Sequence, residues 1–364
     1  MKFGSELIRW YQQHKRDLPW RNTTDPYRIW LSEIILQQTR VEQGLAYYHR
    51  FLKKYPDIRK LASAKEDDVL KLWQGLGYYS RARNIHHTAK EVVKKYGGKF
   101  PEDYDAILSL KGIGEYTAAA ILSFAFKKKF PVVDGNVFRL LSRYFGIETP
   151  IDTSSAKKEF YELAGQLMAN HAPDVFNQAI MEFGARQCKP ANPDCFSCPL
   201  QPTCFAFAKN KIKELPVKNQ KSKVRNRYFN YLVIHQNGSL YLNKRAHNDI
   251  WKNLYDFPLI ETSKKATERK LIASLEWKKL FGKSKITVTS VSPEHKHVLS
   301  HQIIYAKFYE LKLPGKKKIP IKNNFLLVSK NSLEKYTVPK LIENYLKKQN
   351  PFPALPKGNR VSLP

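Results

Sequence analysis

The period of the apolar residues divides the chain in two. From about Ser5 to about Ala208 they recur three and four positions apart, the spacing of an amphipathic helix, with turns between. Examples are IWLSEIILQQTRV (29–41), EDDVLKLWQGLGYYSRARNIHHTAKEVVKKY (66–96) and SSAKKEFYELAGQLMAN (154–170). The second opens on acids and ends at Gly97-Gly98, as helical segments do. After about Arg227 the period falls to two. RYFNYLVIHQNGSLYLNKR (227–245) reads as two strands around Asn237-Gly238, a strong hairpin signal. ATERKLIASLEWKKLF (266–281) reads as an amphipathic helix, and ITVTSV and HQIIYAKFYELKL as further strands. The pattern predicts a mainly α N-terminal region, 1–208, and a C-terminal α+β domain, 228–348, with no internal repeat. Residues 209–227 are charged, lack a core-forming run and read as a basic linker, either on phosphates or in solvent. The Pro-rich, polar tail 349–364 is expected to be disordered.

Charge narrows the class of partner. Against 32 Asp and Glu stand 63 Lys and Arg, a formal charge of +31, which points to a polyanion and first to nucleic acid. The N-terminus has no signal-peptide core and no later run is long enough to span a bilayer. The expected setting is therefore intracellular, without a membrane partner, where disulfides are disfavoured.

That setting shifts the reading of the cysteines. All four lie in CKPANPDCFSCPLQPTC: Cys188, Cys195, Cys198 and Cys204, spaced C-x6-C-x2-C-x5-C. Four thiols in so short a stretch suit one metal centre. Structural zinc more often uses two close pairs, whereas four-thiolate ligation of an iron–sulfur cluster accepts uneven spacing, so both stay open on chemistry alone.

Three further features carry candidate chemistry. In LKGIGEYTAAAI (110–121), Gly112 and Gly114 leave backbone N–H groups bare at a helix N-terminus, a nest for phosphate or an ordinary packing corner. Glu33 sits among apolar neighbours on what reads as a buried helix; there a carboxyl keeps its proton, as a general acid needs, or is satisfied by a core hydrogen bond. Asp134, in PVVDGNVFRLLSRYF, precedes a helix and could be no more than its N-cap.

Taken in order, Glu33, the G-I-G hairpin, Asp134 and the cysteine run resemble the helix-hairpin-helix DNA glycosylases with a [4Fe-4S] cluster, and among them the adenine DNA glycosylases of the MutY family. LPWR (18–21), SEIILQQTRV (32–41), GLGYYSRARN (75–84), VDGNVFRLLSR (133–143) and FNQAIMEFGARQC (176–188) support this, and WKNLYDFP with the later strands is similar to the family's Nudix-like domain. The resemblance implies a monomeric cytoplasmic enzyme on the nucleoid that removes adenine opposite 8-oxoguanine or guanine in double-stranded DNA. An endonuclease III-like or thymine-mismatch glycosylase is the alternative on this scaffold. Glu33 would protonate the base and Asp134 would steady the cationic sugar, with Asn136 holding a water or the Asp134 geometry. Trp20, Arg21, Val41 and Gln178 would line the adenine pocket, and Gln38 and Tyr78 would wedge the duplex. Gly112 and Gly114 would meet phosphate, with a bound monovalent cation as a further candidate there. Cys188, Cys195, Cys198 and Cys204 would hold the cluster.

Two departures refine the expectation. Tyr116 stands where bifunctional relatives carry a lysine that attacks the sugar. A phenol forms no Schiff base, so hydrolysis without an efficient lyase step is expected, Lys111 leaving only slow trapping. In the C-terminal domain Glu268, Arg269 and Glu276 are isolated, so the Mg²⁺-binding cluster of a working Nudix hydrolase is missing. The family's 8-oxoguanine sensor, Phe-Ser-His, reads Leu299-Ser300-His301, keeping the polar pair Ser300 and His301 or forming only a turn between strands.

Overall fold

In the computed structural model, residues 2–219, 224–246, 248–282, 284, 286–313 and 325–349 are described. Twelve helices come first: α1 (Lys2–His14), α2 (Pro26–Leu36), α3 (Val41–Lys54), α4 (Ile58–Ala62), α5 (Glu66–Trp73), α6 (Ser80–Tyr96), α7 (Tyr104–Leu108), α8 (Glu115–Phe126), α9 (Gly135–Phe145), α10 (Ser154–Met168), α11 (Pro173–Arg186) and α12 (Phe205–Ala208). The strands are β1 (Arg225–Gln236), β2 (Ser239–Lys244), β3 (Tyr255–Asp256), β4 (Leu259–Thr262), β5 (Thr287–Val291), β6 (His295–Val298), β7 (Gln302–Lys312) and β8 (Leu326–Ser329). Among them lie α13 (Glu268–Ile272) and α14 (Leu275–Phe281), and α15 (Lys340–Gln349) follows β8. Two units result: Met1–Ala64 with Arg83–Lys221, and Lys65–Ala82 with Ser222–Pro364.

In the first unit, α2 and α8 are apolar on nearly every face, which is why both are buried. Ala119 and Ala120 of α8 let Ile29 of α2 approach closely, and Phe124 and Val132 complete that core. A larger core joins α1, α9, α10 and α11 through Leu7, Trp10, Leu140, Phe160, Phe176 and Phe183. Asn177 is fully buried and staples the chain leading to Asp134: its Oδ1 accepts from the Val132 N–H at 3.0 Å, and its Nδ2 donates to the Phe130 carbonyl at 2.8 Å. The charged stretch after α12 is no free tether where it is described. Leu215 is buried, its carbonyl accepts from Arg143 Nε at 3.1 Å, and the Ile151 N–H donates to the Val217 carbonyl at 3.0 Å.

In the second unit β1 is the spine, parallel to β7 and antiparallel to β2 and β4. The strand order is β3-β2-β1-β7-β5, with β6 on β7 and β8 on β2. Asn237 and Gly238 take φ of 45° and 75°, the left-handed pair that a tight hairpin requires. The segment 266–281 forms two helices rather than one, because Ser274 leaves the helical path and accepts the Trp277 N–H as an N-cap. Segment 66–96 is likewise broken, with positive φ at Gly75, Gly77 and Tyr78 between α5 and α6. Arg225 and Arg227 open β1, and Arg227 is buried against Asp249 and Glu261. The tail 350–364 and linker residues 220–223 lie outside the described residues. No helix among the described residues is long and apolar enough to cross a membrane.

Candidate active site

A cavity of about 630 Å³ opens in the first unit between α2, α8, the N-terminus of α9 and α11. Its walls bring together nine residues singled out from the sequence: Trp20, Arg21, Glu33, Gln38, Val41, Tyr116, Asp134, Asn136 and Gln178. They come from five separate stretches of chain, so the fold supplies their proximity.

Glu33 is 8% exposed on α2. Burial is the main cause that pushes its carboxyl up to about 7; the nearby Asp134 adds to the rise, while the Tyr116 hydroxyl and Arg21 oppose it. Tyr116, on the first turn of α8, hydrogen-bonds Glu33. Burial, with both carboxylates close by, holds its phenol far above the ordinary value, so it stays a neutral donor. Asp134 caps α9: Oδ1 accepts the Asn136 and Val137 N–H groups, both at 2.8 Å, and Oδ2 accepts Asn136 Nδ2 at 2.8 Å. Burial raises its pKa, and those donors with Arg139 work against the rise. The cap and the functional reading of Asp134 are thus compatible, since one carboxylate serves both.

Four residues were not singled out from the sequence: Glu182 and Arg16 line the cavity, and Tyr11 and Arg139 bond the lining residues Gln178 and Asn136. Glu182 of α11 is buried in a fork of guanidinium groups, with Arg16 Nη2 at 2.6 Å and Arg21 Nη2 at 2.7 Å. Burial alone would raise its pKa, but bonds from Arg16 and Arg21 pull it down to about 2. Tyr11 donates to Gln178 Oε1 at 2.6 Å. Arg139 donates to Asn136 Oδ1 at 2.9 Å, the Gly184 carbonyl at 2.7 Å and the Cys188 carbonyl at 2.8 Å. One signal was available: Glu182 lies one helical turn after Gln178, on the same face of α11.

Gly112, Gly114, Tyr78, Ser300 and His301 do not line that cavity. Gly112 has φ of 81°, and a Cβ there would overlap the Asn84 side chain at 2.6–2.9 Å; Gly114 is extended, and a Cβ there would meet nothing within 4 Å. The first glycine thus serves the backbone, while the second leaves open space before the exposed N-terminus of α8. Gln38 and Tyr78 are both exposed residues with left-handed backbone, φ of 56° and 47°, a conformation that strains a side chain-bearing residue. In the second unit Ser300 and His301 are exposed in the turn joining β6 to β7, and the Ser300 hydroxyl bonds that of Tyr78.

Cys188, Cys195, Cys198 and Cys204 are half-buried, free of disulfides and line one small cavity. Arg143 Nη1 lies 3.5 Å from the Cys188 sulfur, and backbone N–H groups of Leu200, Phe207 and Ala206 point at Cys198 and Cys204. Burial, aided by the other thiols, pushes Cys198 up to about 11. Among the described residues no group of three or more His, Cys, Asp or Glu side chains is arranged to hold a metal ion. Four thiols with N–H donors and a guanidinium beside them are a donor set able to hold an anionic thiolate-bound group.

The cavity thus joins the buried acid Glu33, its phenol partner Tyr116 at the N-terminus of α8, and the capping Asp134 of α9. Residues 31–166 match the model of the HhH-GPD superfamily base excision DNA repair proteins, and 230–348 that of the NUDIX domain. Adenine DNA glycosylase of Buchnera aphidicola subsp. Acyrthosiphon pisum is 37% identical over 72% of this chain and 76% of its own. The Homo sapiens protein of that name is 41% identical over 58% of this chain and 41% of its own. A thermostable thymine-DNA glycosylase superposes with a TM-score of 0.54 at 33% identity, covering 57% of this chain and 95% of that one. A trapped endonuclease III–DNA intermediate, at 22% identity and a TM-score of 0.50, covers 57% and 94% and shares the fold. The chain belongs to the adenine DNA glycosylase family.

Proposed function

We propose that this chain hydrolyses the N-glycosidic bond of adenine mispaired with 8-oxoguanine, or with guanine, in double-stranded DNA. One observation carries the reading: Glu33, pushed up to about 7 chiefly by burial, shares a cavity with Asp134. An adenine swung out of the duplex is received by Trp20, Val41 and Gln178, the flip itself needing wedges such as Gln38 and Tyr78. Neutral Glu33 gives its proton to a ring nitrogen; the C1′–N bond breaks and its electron pair leaves with the base. Ionised Asp134 stabilises the cationic sugar, as the paired carboxylates of glycosidases do. Water then adds at C1′ and yields a proton to a carboxylate, with Asn136 fixing Asp134. No amine stands at Tyr116, so the strand stays intact.

Ser300 and His301 supply the polar readout of the opposite base, with Leu299 giving less contact than an aromatic. The four cysteines hold a [4Fe-4S] cluster, which supplies a fixed scaffold for the basic loop around it, and Gly112 and Gly114 hold phosphate, with room for a monovalent cation. The enzyme acts as a monomer in the cytoplasm, on the nucleoid.

Duplexes with A:8-oxoG, A:G, T:G and A:T pairs, assayed before and after alkali, test the reading. Base loss from A:8-oxoG with breaks only after alkali is expected. Preference for T:G would favour the thymine reading, which the likeness to a thymine-DNA glycosylase keeps in the comparison. About four irons per chain and a yellow-brown colour are expected of the purified protein.

A further inference from the structure

In a chain with twice as many basic as acidic residues, Glu66, Asp67 and Asp68 form a run of three acids. They open α5, where the helix dipole alone would favour them. Two of the three do more. The Asp67 carboxylate accepts Lys244 Nζ at 2.8 and 3.1 Å and the Tyr255 hydroxyl at 3.2 Å, and Glu66 Oε1 accepts Asn253 Nδ2 at 2.5 Å. Asp68 is exposed, and its side chain makes no ion pair or hydrogen bond among the described residues.

The receiving surface is rigid. Lys244 and Tyr255 are register partners across β2 and β3, the Tyr255 N–H donates to the Thr337 carbonyl at 2.8 Å, and the Asn253 N–H donates to the Arg245 carbonyl at 2.8 Å. Arg245 is itself clamped by Asp249 and Asp256. At the far end of α5 the Lys71 ammonium reaches the Tyr336 carbonyl at 3.4 Å. The next step runs to the strained loop: buried Trp73 donates its indole N–H to the Gly77 carbonyl at 2.9 Å, one residue before Tyr78. A shift of α5 would therefore be passed through Trp73 to Tyr78.

We propose that the acidic first turn of α5 is the handle by which the C-terminal sheet sets the position of Tyr78, making Glu66 and Asp67 positioning residues for discrimination of the opposite base. This rests on the reading that Tyr78 and the 299–301 turn face the base opposite adenine. Neither residue touches the cavity that holds Glu33 and Asp134.

The test uses the full-length chain and single-turnover excision from A:8-oxoG and A:G duplexes. Asp67→Lys and Lys244→Asp should each lower the A:8-oxoG over A:G rate ratio by about three- to tenfold, in keeping with exposed pairs whose charge is reversed. The double exchange should restore most of the ratio, and Asp67→Asn should fall between. Asp68→Lys, an equal change to the helix dipole without a partner in the sheet, should leave the ratio unchanged, and the basic limb of the pH profile should not move in any variant. An effect of Asp68→Lys as large as that of Asp67→Lys, or a double exchange that restores nothing, overturns the handle. A wild-type enzyme with no preference for A:8-oxoG overturns the opposite-base reading and the handle with it; a preference indifferent to Asp67→Lys overturns the handle alone.

Discussion

The first unit leaves Glu33 buried against a neutral phenol, whereas the second pairs Asp249, Asp256 and Glu261 with guanidinium groups. Arg227 binds Asp249 and Glu261, each bidentately, and Arg245 binds Asp249 and fully buried Asp256. Burial still lifts Asp256 to about 6, but Arg245 opposes the rise, and Asp249 ends below its ordinary value. The contrast recurs inside the cavity, where Glu182 is doubly paired and falls to about 2 while Glu33 rises to about 7. Guanidinium groups oppose the rise that burial causes in Asp256 and outweigh it in Asp249 and Glu182, whereas Glu33, against a phenol, keeps a proton that it can give away.

The sharpest way to break this contrast is Glu33→Gln. Excision should fall by about a thousandfold or more, the scale of a lost general acid, with duplex binding kept in a gel-shift assay. Stability should move the other way. The raised pKa makes wild-type Glu33 favourable to folding while it is neutral, and that contribution is lost as pH rises from the usual carboxylate range through about 7. At pH 8 the Gln variant should therefore unfold with more difficulty, by on the order of 2–3 kcal/mol in urea. Loss of duplex binding would instead make Glu33 structural.

Asp134→Asn is the next largest. Asn caps helices as well as Asp, so α9 should keep its stability while excision drops by about a hundredfold through loss of negative charge beside the sugar. Equal losses of stability and rate would reduce Asp134 to its cap. On the paired side, Arg227→Met should cost about 2 kcal/mol of stability, since Asp249 and Glu261 are partly exposed and can rehydrate, with no change in the pH dependence of excision. Tyr116→Phe should have the smallest effect. Without the phenolic hydrogen bond that lowers it, the Glu33 pKa rises further, so the basic limb of activity shifts to higher pH with only a few-fold change in rate.

How much of this could be read from the sequence depends on whether the cause is local. Glu33 among apolar neighbours, Asp134 before a helix, the Asn237-Gly238 turn and the four cysteines are local patterns, and each sits where its pattern places it. The Glu182 fork is not local: Arg16 and Arg21 meet it across more than 160 residues of chain, so nothing near Glu182 marks it as paired. The stretch after α12 reads as a basic linker, on phosphates or in solvent, because its charge hides Leu215, which is buried. Grouping of α5 with the C-terminal sheet also escapes the sequence, because an acidic first turn is ordinary for any helix.

The central claim is that Glu33 works as a neutral acid in a protein otherwise rich in paired charge. Single-turnover excision of adenine from an A:8-oxoG duplex, followed from pH 5 to 9, tests it directly. The rate should fall on the alkaline side with an apparent pKa of about 7, and this limb should move upward in Tyr116→Phe. A rate that stays level to pH 9, or a limb that Tyr116→Phe leaves in place, would contradict it.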